Sequence, residues 1–497
     1  MPLTPINRVS ARVVIVDLNN FATFPTMAIG LLVAALRNRG CSVQLISPLA
    51  HDVPAAERER AEHRWDQLVR RLHLSTHPWL RGIRDGARQV RAWLRDRPHP
   101  RVLAEVARAL AQQPDVLLLS AYLQHYRTVV AVGHLAAAHG VPLLLGGPMF
   151  NQPDTADAWR GIVGLTALVG AEADLSVPDI VAAVIAGGDL RQFPGVVMPD
   201  GSRGPPAPPL RPLDQVPVPD YTDFPWDRYR IRIIPLMAGR GCQWSRCDFC
   251  SDIVSVSGRS FRSRSVDAVL NEIREQARRH QTTNFLFLDL KLNSNPALFR
   301  GIVEGIQRSV RGAEWIGTVH VDQRADNGVS RAELRAATAA GMRRVSFGLE
   351  TGSQRLLNLM DKGCTVERNS AFIRDAFEAG LSVRATIFKG YPGETAEDLM
   401  LTADYLRRHE PWLDRVRFND FSILAGTPIH RRVSDDPTAF PNVRILRQDH
   451  RAARAVYLTT DGGSPAYRRA KSDVARAVHA INRRRLRSSA QAFDGLM

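Results

Sequence analysis

Three of the chain's five cysteines fall within nine residues: Cys242, Cys247 and Cys250, in the segment Gly239-Arg240-Gly241-Cys242-Gln243-Trp244-Ser245-Arg246-Cys247-Asp248-Phe249-Cys250. Three thiolates this close can hold three corners of a [4Fe–4S] cluster, whose fourth iron is then open to a substrate or cofactor. Zinc is the alternative. A structural zinc site wants four ligands, and the next histidine, His280, is thirty residues on. The other two cysteines, Cys41 and Cys364, are isolated. Five scattered cysteines in a long chain are no disulfide framework, so the tight cluster reads as metal or redox chemistry. Cys41 follows Gly40 at a helix end and reads as a small buried filler; Cys364 reads as structural, near the site.

The elements that must carry this loop alternate strand and helix. In the first third, Arg12 to Asp17, Val43 to Ser47, Asp115 to Ser120, Pro142 to Gly147 and Thr166 to Gly170 read as buried strands, with helices such as Pro25 to Arg39 and Val129 to His139 between them. That order predicts a doubly wound parallel sheet over residues 1–198, with ligands bound beyond the carboxyl ends of the strands. Residues 51–111 interrupt it and read as an inserted helical lobe rich in arginine. Eight prolines between Pro199 and Asp227 mark a semi-rigid linker over 199–229. A second alternating run over 230–432 has six strand-like stretches, starting at Ile233, Asn284, Trp315, Arg344, Val383 and Val416. It predicts a partial (β/α)6 barrel with its active site at the strands' carboxyl ends. The cysteine segment follows the first of these strands. Beyond 432 the sequence reads as a basic helical tail. The fold class is therefore α/β: a Rossmann-like domain, a partial barrel and a helical C-terminus.

Three cysteines after the first barrel strand, the last preceded by the aromatic Phe249, resemble the radical S-adenosylmethionine (SAM) superfamily. The family's usual spacing has three residues between the first two cysteines; here there are four. Later elements fit in the family's order. Val345-Ser346-Phe347-Gly348-Leu349-Glu350-Thr351-Gly352-Ser353 resembles its fourth-strand motif, and Met360-Asp361-Lys362-Gly363 fits behind it. Lys389-Gly390-Tyr391-Pro392-Gly393-Glu394-Thr395 resembles the turn after the fifth strand, and Ala425-Gly426-Thr427-Pro428 the element after the sixth. The resemblance implies that SAM chelates the open iron and is cleaved to a 5′-deoxyadenosyl radical. It places Phe249, Asp289, Arg324, Glu350 and Gly390 near SAM. The N-terminal domain with its Pro-rich linker is similar to cobalamin-binding radical SAM proteins: Gly146-Gly147-Pro148 and Val169-Gly170-Ala171-Glu172 resemble loops around the corrin's nucleotide tail, which brings in Gly146, Gly147 and Glu172. The Asp-x-His-x-x-Gly motif of histidine-ligated cobalt is absent. His125, after the third strand, lies where it can approach the corrin, although a surface or core histidine is the plainer reading.

The resemblance implies a cobalamin-dependent methyltransferase acting on an unactivated carbon of a small natural-product or peptide intermediate. An electron donor such as flavodoxin or ferredoxin would supply it. The alternative is a radical SAM oxidoreductase or rearranging enzyme without methyl transfer. A tRNA methylthiotransferase would carry an extra N-terminal cysteine triad, and Cys41 stands alone. A non-enzymatic corrinoid or redox sensor is the remaining reading.

Composition bounds the rest. Hydrophobic residues make up 44% and charged residues 23%, which excludes a largely disordered chain. No apolar run long enough to span a bilayer occurs, and Met1 to Ser10 show no secretory pattern. A cytoplasmic protein without a membrane partner is the expectation. The net charge of +16 is almost all arginine: 62 of the 66 basic residues, leaving only Lys291, Lys362, Lys389 and Lys471. The densest basic runs, Arg58 to Arg108 and Arg483 to Arg485, read as solvated faces of amphipathic helices, with an acidic partner as the alternative and nucleic acid disfavoured.

Overall fold

The computed structural model describes residues 10–21, 23–55, 61–73, 75, 77–436 and 438–496. Met1 to Val9, on which most of the leader expectation rests, lie outside the described residues, as do 56–60 in the inserted stretch. Among the described residues no helix is long and apolar enough to cross a membrane.

Two sheets organise the chain. The first is built from β1 (Arg12–Asp17), β2 (Ser42–Ile46), β3 (Val116–Ser120), β4 (Leu143–Gly146), β5 (Leu165–Val169) and β6 (Val196–Val197), in the order β2-β1-β3-β4-β5-β6. β1 to β5 are parallel: Val13 sits opposite Val43 on one side and Val116 on the other. Helices cover both faces, so the strands read as unbroken apolar runs, such as Leu117-Leu118-Leu119 and Leu143-Leu144-Leu145. β6 is antiparallel and only two residues long, too short for any sequence period to reveal.

Within the second sheet's run lie two short strands, β8 (Gly239–Arg240) and β9 (Arg262–Ser263), which pair with each other around the cysteine loop. Its members are β7 (Ile234–Leu236), β10 (Asn284–Phe287), β11 (Glu314–Val319), β12 (Met342–Glu350), β13 (Ser382–Lys389) and β14 (Arg415–Asp420), in the order β14-β13-β12-β11-β10-β7. All six run parallel and the end strands do not pair, so this is a partial barrel. Its outer face is packed against its helices by large side chains, with Phe287 edge-on to Trp315 at 5.5 Å and Phe347 edge-on to Phe372 at 5.2 Å.

Three regions differ from the sequence expectation. The stretch 51–111 is not one insert: helix Pro100–Leu110 buries Val102, Val106 and Leu110 against the first sheet and is that domain's own crossover. Only the helices Arg64–His73 and Pro78–Arg95 stand apart as a lobe. The C-terminal region is not purely helical. It opens with an antiparallel hairpin, β15 (Val443–Asp449) and β16 (Arg454–Thr459), before helix Pro465–Asn482. Val443, Ile445, Ala455 and Tyr457 turn inward there, but the arginines between them mask the alternation. The Pro-rich stretch is packed rather than loose: Tyr221 is fully buried, and its hydroxyl donates to the Pro235 carbonyl at 3.0 Å.

Candidate active site

The cysteine loop lies beyond the carboxyl end of β7. It is held from both sides. Asp289, just past β10, accepts from the backbone N–H groups of Ala238 (2.9 Å) and Gly239 (2.6 Å), which pins the chain entering the loop. Burial pushes this carboxyl up to about 7 against those two donors. From the other side, the segment after β12 is joined to the loop. The Trp244 indole donates to the Asp361 carbonyl at 2.7 Å, and the Asp248 backbone N–H donates to the Met360 carbonyl at 3.1 Å. The Asp248 carboxylate then accepts from the Tyr391 hydroxyl (2.7 Å) and from Arg432 (2.8 Å).

Cys242, Cys247 and Cys250 are all free and partly exposed at this position. Among the described residues no three His, Cys, Asp or Glu side chains converge on a single-ion site. Burial raises the Cys247 thiol to about 12 and also raises Cys250, so metal binding here must release protons. Phe249 turns the other way, edge-on to Phe388 at 5.3 Å, and the Lys362 ammonium lies 5.8 Å above its ring.

Glu350 ends β12 at a register shift and has a positive φ of 61°. It pairs with Lys362 at 2.7 Å, and both side chains are less than a tenth exposed. Burial works against the Lys362 charge, but Glu350 and Cys247 outweigh it, so the lysine is held firmly cationic beside the thiols. Beyond β11, Asp322 accepts from Lys291 (2.7 Å) and Arg324, which hold it down to about 2 despite burial. The same Arg324 donates to the Asn293 carbonyl at 3.0 Å, while its Nη1 is buried without a partner. His320 Nε2 is likewise buried and unpartnered. Burial, with Lys362 and Lys291 nearby, depresses the imidazole well below its usual value, so it stays neutral. These unfilled polar atoms, next to a preorganised cation, match what the carboxylate and amine of a bound amino-acid-like ligand require. Gly390, φ 83°, donates to Glu394 at 2.6 Å and accepts from the Tyr457 hydroxyl at 3.0 Å.

The sequence signal that was missed is lysine. All four lysines are buried, each 4–6% exposed, while arginine serves the surface. Lys291, Lys362 and Lys389 lie just beyond or at the carboxyl ends of β10, β12 and β13, and each is ion-paired, with Asp322, Glu350 and Asp420. In so arginine-rich a chain the retention of lysine was itself the marker.

A cavity of about 1500 Å³ separates this barrel mouth from the first sheet. Leu18, Asn19 and Asn20 beyond β1, Pro48 and Val53 beyond β2, and Leu123 to His125 beyond β3 line one side. Trp93 and Leu94 of the lobe and Phe418 of β14 line others. It exceeds the usual range of small-ligand pockets. Three of its lining polar atoms, Asn19 Oδ1, Asn20 Oδ1 and His125 Nδ1, are buried without partners. Burial lowers His125 to about 4, so its ring is neutral. Gly146 and Gly147 end β4 outside this cavity's lining; a Cβ on Gly147 would lie 2.5 Å from the Ala121 carbonyl oxygen. Glu172 is placed between the domains, where it pairs with Arg240 and Arg262 and accepts from the Leu210 N–H at 2.7 Å.

The comparisons with known proteins agree with this geometry. Residues 236–406 match the radical SAM superfamily. An uncharacterized methyltransferase of Pyrococcus horikoshii is 24% identical over 323 residues, 63% of this chain and 68% of the relative. The bacteriochlorophyllide d C-12(1)-methyltransferase of Chlorobaculum tepidum is 25% identical over 46% of this chain and 49% of its own length. The cobalamin-dependent SAM radical enzyme OxsB with aqua-cobalamin bound superposes with a TM-score of 0.68 at 17% identity, over 91% of this chain and 65% of that one. The radical SAM methyltransferase TsrM of Kitasatospora setae, with cobalamin and a [4Fe-4S] cluster bound, gives 0.64 at 16% identity, over 91% and 85%. Residues 236–406 thus carry a match to the radical SAM superfamily, and the joined Rossmann-like sheet and partial barrel share the fold of the OxsB and TsrM structures.

Proposed function

We propose that this chain is a cobalamin-dependent radical SAM methyltransferase, acting on an unactivated carbon of a small-molecule or peptide intermediate and drawing electrons from a flavodoxin- or ferredoxin-like donor. One observation carries the reading. A loop with three free thiols at the barrel mouth faces a domain whose strand ends line a large cavity with unpartnered polar atoms. When bound, the cluster supplies the electron that cleaves SAM and cobalamin supplies the methyl group; such cofactors carry the hard chemistry and the protein orients them.

Cys242, Cys247 and Cys250 would hold the cluster. Arg324 Nη1 and Glu350, the latter oriented by Lys362, would bind the polar end of SAM, with Phe249, Asp289 and Gly390 shaping its surroundings. Gly146, with no backbone or side chain closer than 3.9 Å to its Cβ position, would let the corrin's tail approach the end of β4, Gly147 would keep the adjoining turn close against Ala121, and Glu172 would fix the next loop through its arginines. The P. horikoshii and C. tepidum relatives, both methyltransferases by name, favour methyl transfer over the oxidoreductase alternative.

The first measurement is metal content with a visible spectrum, on protein made anaerobically with cobalamin supplied. About four irons and about one cobalt per chain support the reading. About four irons without cobalt would put the oxidoreductase reading first. Cys242→Ala should abolish SAM cleavage, and intact cleavage in that variant would sink both.

A further inference from the structure

The lobe helices are turned opposite to the usual amphipathic arrangement. In Pro78–Arg95, Trp79, Ile83, Val90, Trp93 and Leu94 fall on one stripe at helical spacing, and they face solvent: Trp79 is 86% exposed and Ile83 72%. Helix Arg64–His73 adds Trp65, Leu68, Val69 and Leu72, all exposed. The arginine face looks inward. Arg88 pairs with Asp420 at the end of β14, Arg84 donates to the Ser75 carbonyl, and Arg70 pairs with Glu62. Those ties fix the roll of both helices, so the outward stripe is a property of the fold. Of the arginines read from the sequence as a solvated face, Arg70, Arg84 and Arg88 are thus tied inward, while Arg64, Arg71 and Arg91 are exposed. Contiguous apolar surface of this extent marks an interaction site.

We infer that the lobe is a docking surface for an anionic lipid membrane. Two lines select that occupant. Residues 63–97 hold nine arginines against three aspartates, and Arg64, Arg71 and Arg91 are exposed around the stripes. An apolar face carrying tryptophan and leucine, edged by arginine on helices of low overall hydropathy, is the pattern of an interfacial helix. A second copy fits poorly, because a symmetric contact would bring two basic rims together on a chain already at +16. Among the described residues no helix is long and apolar enough to cross the membrane, so in this arrangement the lobe helices lie on its surface. Val69, Trp93 and Leu94 belong both to the exposed stripes and to the wall of the 1500 Å³ cavity. The docking face is therefore continuous with this cavity. Resting on the proposed function, this assigns the substrate to the amphiphilic class that partitions into membranes.

Vesicle flotation tests the docking without any turnover. The holoenzyme should float with vesicles of phosphatidylglycerol and phosphatidylcholine, and about tenfold less with phosphatidylcholine alone. The triple variant Trp79→Glu/Ile83→Glu/Val90→Glu should lose flotation while keeping its iron content and circular dichroism, since all three side chains are exposed. Three outcomes would overturn the inference: no flotation at low salt, flotation unchanged in the triple variant, or a dimer in light scattering that the triple variant converts to monomer. Iron without cobalt in the metal analysis above would leave the vesicle result standing and remove only the substrate assignment.

Discussion

Lys362 and Glu350 show how a buried ion pair can be kept for what it does to its neighbours. The pair lies beside Cys247, and its lysine remains charged although burial opposes it. Removing one partner leaves the other buried and uncompensated, which costs about 3–5 kcal/mol, whereas replacing both by apolar groups is far milder. Lys362→Met should therefore lower the urea midpoint strongly, and Lys362→Met/Glu350→Leu should recover most of the loss. A double variant as unstable as the single one would show that the pair is not the unit. Glu394 gives a pH signature. Burial raises its pKa from 4.5 to about 7, so the folded state keeps a proton that the unfolded state has released between those values. Stability then falls as pH rises through that window, by about 3 kcal/mol in all, and is flat above it. Glu394→Gln should remove this slope, read as the difference between variant and wild-type unfolding free energies at about pH 5 and about pH 7. Equal differences at both values would dispose of the assignment.

At the scale of elements, the site is a lock between two loops that are over a hundred residues apart in sequence. Gly363 has a φ of 70°, and a Cβ there would lie 2.2 Å from the Trp244 ring. Trp244 in turn belongs to the cysteine loop and donates to Asp361. Gly363→Ala should push Trp244 aside, costing about 1–3 kcal/mol of overpacking and strain. The informative readout is iron bound per chain after anaerobic reconstitution, which should drop; full iron loading would separate this lock from cluster assembly. Such contacts also explain what the sequence could and could not disclose. The strands were legible because burial on both faces writes them as apolar runs, as in Val13 to Val16 or Leu143 to Leu145, and the three cysteines because their spacing is dense. Lys362, His320 and the Asp248–Tyr391–Arg432 link were not, because each acquires its meaning only when barrel strands far apart in sequence are brought side by side. The hairpin β15–β16 hid for a different reason: interleaved arginines satisfy the polar side of a strand and of a basic helix equally well.

At the scale of the whole molecule, one buried carboxylate is among the ties between its two sheets. Glu172 leaves the Rossmann-like domain just after β5 and meets Arg240 and Arg262, the residues of β8 and β9 that flank the cysteine loop. Its side chain is 4% exposed and that of Arg262 is 2%, so neither can turn to water if the other is lost. The expected cost of Glu172→Ala is about 3–5 kcal/mol, and it falls on the junction rather than on either core. Calorimetry should accordingly resolve two unfolding transitions in the variant, where the wild type unfolds with its domains coupled. The catalytic consequence follows from where the anchor sits. In the proposed reaction, SAM cleavage would need only the barrel's own parts, the three cysteines with Glu350, Lys362 and Arg324. Methyl transfer in the proposed reaction needs the cavity formed by the first domain to stay aligned with that mouth, and a 1 Å misplacement is enough to cost orders of magnitude in rate. Glu172→Ala should then keep most of its 5′-deoxyadenosine formation while losing methylated product, and Glu172→Gln, which retains an acceptor for the arginines, should lie between. If the two products fall in step across the series, the junction serves folding alone, and the alignment of the two domains is set elsewhere.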